Sequence, residues 1–149
     1  MYKIRPYNDD DFDSVKSLLK LTNLFIPEID TREIYLQKTR DDPATMLVAE
    51  NGGEVVGFVL VSYDIWVTTI RHLCSHPKKG KGAGFYLGRD MIKMARNRGC
   101  KMVCSYTEAA NERSVKLQKM ARFKVWEGSD GNPMNIYCLY KKLIRGCDE

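Results

Sequence analysis

The stretch His76-Pro77-Lys78-Lys79-Gly80-Lys81-Gly82-Ala83-Gly84 is where the residue types speak most clearly of chemistry. Glycines let successive backbone N–H groups converge without interference from a Cβ, and a helix that starts where the glycines end adds partial positive charge. With Lys78, Lys79 and Lys81 alongside, the pattern predicts a cradle for a pyrophosphate-like anion. Two well-known phosphate motifs do not fit. The Walker pattern requires Lys and then Ser or Thr after its last glycine, and here Phe85 and Tyr86 follow Gly84. The dinucleotide fingerprint requires a glycine three residues after its second one, and the residues in question are Phe85 or Leu87. The plainer alternative, a solvated basic loop, gives no reason for irregular backbone at a strand-to-helix junction.

Other reactive side chains carry less. His72, Cys74 and His76 alternate, as three ligands on one strand face would. No fourth ligand is evident and Pro77 ends the strand, so no metal site is assigned. Cys74 has no pairing group in the sequence to activate it as a nucleophile. Cys100 and Cys104 are spaced too widely for a Cys-x-x-Cys pair. Lys93, Arg96 and Arg98 read as the solvated face of a helix.

The elements around the glycine-rich turn follow from periodicity. Tyr2 to Arg5 reads as a strand ended by Pro6. Asn8, Asp9, Asp10 and Asp11 supply capping oxygens for a helix through about Leu21, whose apolar side is Phe12, Val15, Leu18 and Leu19. Asp30 with Glu33 resembles a capping box and predicts a second helix to about Lys38. Met46–Glu50 and Val55–Tyr63 flank Asn51-Gly52-Gly53, the strongest hairpin signal in the chain. Trp66–Ser75 completes an antiparallel meander. After the turn, Leu87, Met91, Met94 and Ala95 mark a long amphipathic helix closed by Gly99. Met102–Thr107 is a strand and Glu112–Ala121 a helix. Lys124–Trp126 and Asn135–Tyr140 form a last hairpin around Ser129, Asp130 and Gly131. Strands and helices in this order predict an α+β domain with a mixed sheet.

Composition sets the outer limits. A chain of 149 residues favours one domain over residues 1–149, because two halves would each be marginal. With 24 basic and 19 acidic residues the net charge is +5, too small and too interleaved for a dedicated nucleic-acid binder but suited to a small anionic ligand. Five scattered cysteines, an odd number, and the lack of a basic and apolar leader at Met1 predict reduced thiols in a cytoplasmic protein. No apolar run approaches the roughly 18 residues that would span a bilayer.

Taken together, these residues resemble the GNAT superfamily of acyl-CoA-dependent N-acetyltransferases. That family's signature is Gln or Arg, two residues, Gly, one residue, then Gly or Ala; here Lys79 heads Gly80, Lys81, Gly82, Ala83 and Gly84. Leu73–Pro77 looks like the strand that enters the turn. Asn111, Glu112, Arg113 and Ser114, with Phe123 beyond, are similar to the family's Asn-led helix and the aromatic that ends it. Ile4-Arg5-Pro6 and Leu139–Leu143 resemble its first and last strands, so the likeness covers nearly the whole chain.

The resemblance implies a mostly antiparallel mixed sheet of about seven strands with about four helices, the central strands splayed at the cofactor. It implies acetyl-CoA as co-substrate. Backbone groups of Leu73, Cys74 and Ser75 would meet the pantetheine and the thioester carbonyl, N–H groups from Lys79 to Gly84 the pyrophosphate, and Asn111 the pantetheine arm. The family's usual Glu on the fourth strand is Thr69 here, its acid Tyr is Gln118, and the usual Gly before the terminal aromatic is Arg122. His72, whose side-chain type suits a base, and Tyr106 as acid are the substitutes, with water as an equal route to deprotonation. The loop Thr22–Ile29 and the last hairpin would frame the acceptor, with Phe25 as apolar wall and Asp64 and Glu108 attracting a cation.

The function expected is transfer of an acetyl group from acetyl-CoA to a primary amine, in a small molecule or peptide, by direct attack. A non-catalytic acyl-CoA-binding or regulatory module, and a basic nucleic-acid-binding domain, are the alternatives. No membrane or nucleic-acid partner is expected, and a homodimer is left open.

Overall fold

The computed structural model describes residues 1–126 and 136–143. The strands are β1 (Lys3–Pro6), β2 (Met46–Asn51), β3 (Glu54–Ser62), β4 (Val67–Ser75), β5 (Met102–Glu108), β6 (Lys124–Val125) and β7 (Ile136–Lys142). The helices are α1 (Phe12–Leu21), α2 (Arg32–Asp41), α3 (Ala83–Asn97) and α4 (Glu112–Met120). The strands hydrogen-bond in the order β1-β2-β3-β4-β5-β7-β6. The pairs β1–β2, β2–β3, β5–β7 and β6–β7 are antiparallel and β4–β5 is parallel, so the sheet is mixed and the fold α+β. The turn of the last hairpin, Ser129–Gly131, lies outside the described residues.

The chain divides into two units, Met1–Val61 with His72–Met94, and Ser62–Arg71 with Ala95–Glu149. In the first, strand alternation sends side chains of β3 to opposite faces. Phe58 and Leu60 join Phe12, Val15, Leu18 and Leu19 of α1, Tyr35 of α2 and Cys74 of β4 in a buried cluster. Gly57 points the other way, and a Cβ there would lie 2.9 Å from Leu87 and 3.3 Å from Ala83, so a glycine lets α3 seat closely. The Asn51-Gly52-Gly53 turn forms as its residues require, with φ of 59° at Gly52 and 84° at Gly53.

The helix starts differ from the sequence expectation. Asp9–Asp11 form a 3-10 turn ahead of α1, closed by a capping box between Asn8 and Asp11. The second helix is capped by Thr31, whose side chain accepts from the Ile34 N–H, and it runs through Asp41. Asp30 has no part in that cap. Tyr35 is the one fully buried residue of α2 and joins the helix to the buried cluster.

In the second unit, Val67–Ile70 of β4 pair with Met102–Ser105 of β5, and β7 runs along the whole of β5. Helix α3 closes on Gly99 at φ 78°, with Cys100 N–H bonded to the Ala95 carbonyl at 3.0 Å. The end of α4 repeats this geometry, Phe123 N–H bonding the Gln118 carbonyl at 2.9 Å, but the left-handed residue is Arg122 at φ 64°.

Candidate active site

The glycine-rich turn leaves β4 and enters α3 through a series of backbone bonds. His76 N–H bonds the Val56 carbonyl of β3 at 2.8 Å, Gly80 N–H the His76 carbonyl at 2.9 Å, and Ala83 N–H the Gly80 carbonyl at 2.9 Å. His76 Nδ1 accepts from the N–H groups of Lys78 and Lys79, both at 3.2 Å. This histidine therefore caps the turn and is drawn away from the alternation with His72 and Cys74. Among the described residues no cluster of His, Cys, Asp and Glu is arranged to hold a metal ion.

Two glycines in the turn are required for different reasons. A Cβ on Gly80 would collide with the Val56 carbonyl oxygen and lie 2.8 Å from His76 N, so only glycine lets the turn lie down on β3. Gly82 has open space but adopts φ 89°, a conformation L side chains resist. The flanks are tied as well. Tyr2 donates its hydroxyl to the Lys81 carbonyl at 2.7 Å, and Lys79 pairs with Glu54 at 2.6 Å. The turn is thus shaped by its glycines and stands at the start of the 15-residue α3. The N–H groups of Lys79, Gly80 and Ala83 are bonded within the turn itself, to His76 and to Gly80.

On β4, Leu73 and Ser75 are half-buried, while His72 and Cys74 are buried. Burial pushes the Cys74 thiol up to about 12, so it stays protonated near neutral pH and is a poor nucleophile. His72 Nε2 lies 2.9 Å from Asp30 Oδ1. The same oxygen accepts from the Tyr35 hydroxyl at 2.9 Å, and Asp30 Oδ2 accepts from the Ile26 N–H at 2.7 Å. Burial and the neighbouring Asp30 push the Tyr35 phenol well above its ordinary value, so Tyr35 is the donor in that bond. His72 Nδ1 is buried and has no hydrogen-bond partner among the described residues. Phe25 is half-buried in the loop that ends at Asp30, with the ammonium groups of Lys16 and Lys20 at 5.6 and 5.1 Å from its ring centroid. That ring face is already turned to cations.

The remaining sequence candidates belong to the second unit. Tyr106, near the end of β5, is 62% exposed. Glu108 is exposed, and its carbonyl accepts from Asn111 N–H at 2.9 Å. Asn111 caps α4, its Oδ1 accepting from Ser114 N–H at 3.1 Å, and its amide nitrogen takes no part in the cap. Asp64 is exposed and accepts from Trp66 N–H at 2.8 Å, shaping the entry to β4. Gln118, at the position of the expected acid, is buried, and its Nε2 donates to Thr107 and Ser114 hydroxyls at 2.7 and 3.1 Å.

Sequence reasoning missed Asp30 as a partner of His72 and Tyr35 as the partner of both helix and carboxylate. Asp30 stands beside a helix start, where a carboxylate ordinarily caps, and nothing local distinguishes the two uses. His76 and Tyr2 as braces of the turn were also not legible, since each acts through a backbone group that carries no sequence signal.

Comparisons with known proteins bear on the family and the fold. The Acetyltransferase (GNAT) family matches residues 12–121. An acetyltransferase of Photorhabdus laumondii is 31% identical over 116 residues, covering 77% of this chain and 81% of that protein. Among solved structures, the PaiA N-acetyltransferase of Thermoplasma acidophilum in complex with coenzyme A has a TM-score of 0.80 at 16% identity, covering 95% of this chain and 99% of that one. A putative acetyltransferase of Salmonella typhimurium with acetyl-CoA has a TM-score of 0.77 at 19% identity, covering 100% and 98%. The glycine-rich turn between β4 and α3, the α+β strand order and the match across most of the sequence place this chain in the GNAT family of acetyltransferases.

Proposed function

We propose that this acetyltransferase takes its acyl group from acetyl-CoA and transfers it to a primary amine by direct attack. The observation that carries the reading is the turn after β4, where Gly80 rests on the Val56 carbonyl and Gly82 holds φ 89° at the start of α3. N–H groups of Lys81, Gly82 and Gly84 would hold the pyrophosphate, and exposed Lys78 and Lys81 would lie near the remaining phosphate. Backbone groups of Leu73, Cys74 and Ser75 would orient the pantetheine and polarise the thioester carbonyl. In unit two, the amide of Asn111 and the phenol of Tyr106 are the groups proposed for the pantetheine arm and for proton donation to the leaving thiolate.

Direct attack is favoured over an acyl-enzyme because the one cysteine beside the expected thioester is buried with its thiol held protonated. The amine must lose a proton before it attacks, and His72 is the group we propose to accept it. The acceptor is a primary amine of a small molecule or peptide, approached from the loop carrying Phe25, with Asp64 and Glu108 as proposed attractors of its charge.

The test is release of free thiol from acetyl-CoA across a panel of polyamines, aminoglycosides, amino-terminal peptides and lysine peptides, with thermal unfolding followed in parallel. Amine-dependent thiol release together with an acetyl-CoA-dependent rise in unfolding temperature is the expected result. A thermal shift with no thiol release from any amine would replace the reading with a binding module, and no shift at all would overturn it.

A further inference from the structure

The buried pair of His72 and Asp30 asks for an explanation that packing does not supply. His72 and Asp30 are 7% and 4% exposed, and 42 positions apart in sequence. Bringing an imidazole and a carboxylate out of water is costly unless each polar atom is satisfied. On the Asp30 side every need is met, by Tyr35 hydroxyl, Ile26 N–H and His72 Nε2. On the His72 side it is not, because Nδ1 is buried and has no partner among the described residues, an arrangement that ordinarily destabilises a fold. A packing histidine would be better replaced by an apolar side chain.

The hydrogen bonds determine where the proton sits. Tyr35 and Ile26 N–H both donate to Asp30, so the carboxylate is an acceptor on both oxygens. The third contact then requires Nε2 of His72 to carry the hydrogen, which leaves a lone pair on Nδ1. A carboxylate behind an imidazole holds one tautomer and stabilises the imidazolium that forms on proton uptake. The ionisable groups packed around the pair are Tyr35 and Cys74, both kept neutral by burial, and Tyr7 behind Tyr35 at 5.7 Å between ring centroids. None of them competes for the Asp30 charge.

Resting on the acetyl-transfer reading above, we propose that Asp30 is a positioning residue, seated by Tyr35 and Ile26 N–H, that sets His72 in the Nε2-protonated form with Nδ1 as the atom that takes the amine's proton. Because Nδ1 itself has no exposed surface, an ammonium acceptor gives one proton to it through an intervening water. The resulting neutral amine attacks the thioester carbonyl carbon, the N–C bond forms and the C–S bond breaks. The second amine proton leaves with the thiolate as free thiol, and His72 returns its proton to solvent. Because Asp30 ends the loop that carries Phe25, the same loop that frames the acceptor also orients the base.

The experiment measures kcat/KM against pH, with the best amine of the panel, for the wild type and for Asp30→Asn, His72→Gln and Tyr35→Phe, together with the acetyl-CoA thermal shift of each. His72→Gln should lower kcat by roughly 10²–10⁴-fold and abolish the acid limb of the profile, while the thermal shift persists. Asp30→Asn should lower kcat by at least about tenfold and displace that limb, and Tyr35→Phe should act in the same direction by only a few-fold. Nitrogen-15 NMR of the wild-type histidines supplies a reading that needs no variant to fold: His72 should carry its hydrogen on Nε2. A hydrogen on Nδ1, or folded His72→Gln and Asp30→Asn variants with kcat within about threefold of wild type and an unchanged profile, would overturn the proposal. If the wild type releases no thiol with any amine, the acetyl-transfer reading fails and this one falls with it. An active wild type with indifferent variants sinks this one alone.

Discussion

Two neighbouring parts of the first unit are built in opposite ways. The turn from His76 to Gly84 is made of contiguous residues whose types dictate its shape, and among the described residues its bonds beyond the turn reach the Val56 carbonyl of β3, Tyr2 and Glu54. The His72–Asp30 pair, starting four residues earlier on the chain, is assembled from a strand, a loop and a helix that meet only when the core of Phe12, Leu19, Tyr35 and Phe58 closes. A local device tolerates change around it so long as its own residues stand, whereas an assembled device fails whenever its supports move. That difference separates the part of the site proposed to hold a cofactor from the part proposed to move a proton.

Substitutions can break or sharpen this contrast. The largest effect should come from Gly80→Ala, whose added Cβ has no room against the Val56 carbonyl and the His76 backbone. It should cost about 1–3 kcal/mol in denaturant unfolding and abolish the acetyl-CoA thermal shift, while leaving the His72 tautomer unchanged. Were the shift to survive, the cradle would not depend on the close approach.

The next effect tests an assembled device away from the site. Asp11 is gripped by Arg5 through two bonds of 2.8 Å. Burial by itself would raise the Asp11 carboxyl, but the Arg5 guanidinium and the Asn8 N–H hold it below the usual carboxylate value. A folded value below the unfolded one means that the stabilisation is complete above the unfolded carboxylate value of about 4 and is lost as pH falls through the depressed one. Asp11→Asn should therefore cost about 1–3 kcal/mol at neutral pH and flatten the acid side of the stability curve measured by thermal unfolding. Equal acid slopes for the two proteins would exclude Asp11 as the titrating group.

A gain is expected at the end of α4. Arg122 occupies the left-handed position that Gly99 fills at the end of α3. Arg122→Gly should raise stability by about 1 kcal/mol without altering acetyl-CoA binding, as read by chemical denaturation and thermal shift. The smallest effect belongs to Glu54→Gln. The Lys79–Glu54 pair is half exposed, so its loss should move stability by less than about 0.5 kcal/mol and leave the cradle intact. A large loss of acetyl-CoA binding in this variant would show that the turn is held from outside and is not the self-contained device described.

Legibility in the sequence follows the same division. The hairpin at Asn51-Gly52-Gly53, the stripe of α1 and the Gly99 stop of α3 were readable because each depends on residues within a few positions of one another. The second helix was readable as a helix, yet its start was misplaced onto Asp30, because Thr31 and Asp30 are equally good caps until the tertiary structure takes Asp30 for His72. The turn was visible as a glycine run, but which of its N–H groups are bonded within it emerged only from the bonds to His76 and Gly80.

The sequence by itself determined the element order, the glycine-dependent turn between β4 and α3 and the family to which these belong, since turn conformation and strand or helix period are properties of neighbouring residues. Only the tertiary structure decided that His72 has a carboxylate behind it, that Cys74 is too deeply buried to react, and that His76 serves the turn. Pairing and burial depend on elements far apart in the chain meeting over one core, and no local pattern encodes which two will meet.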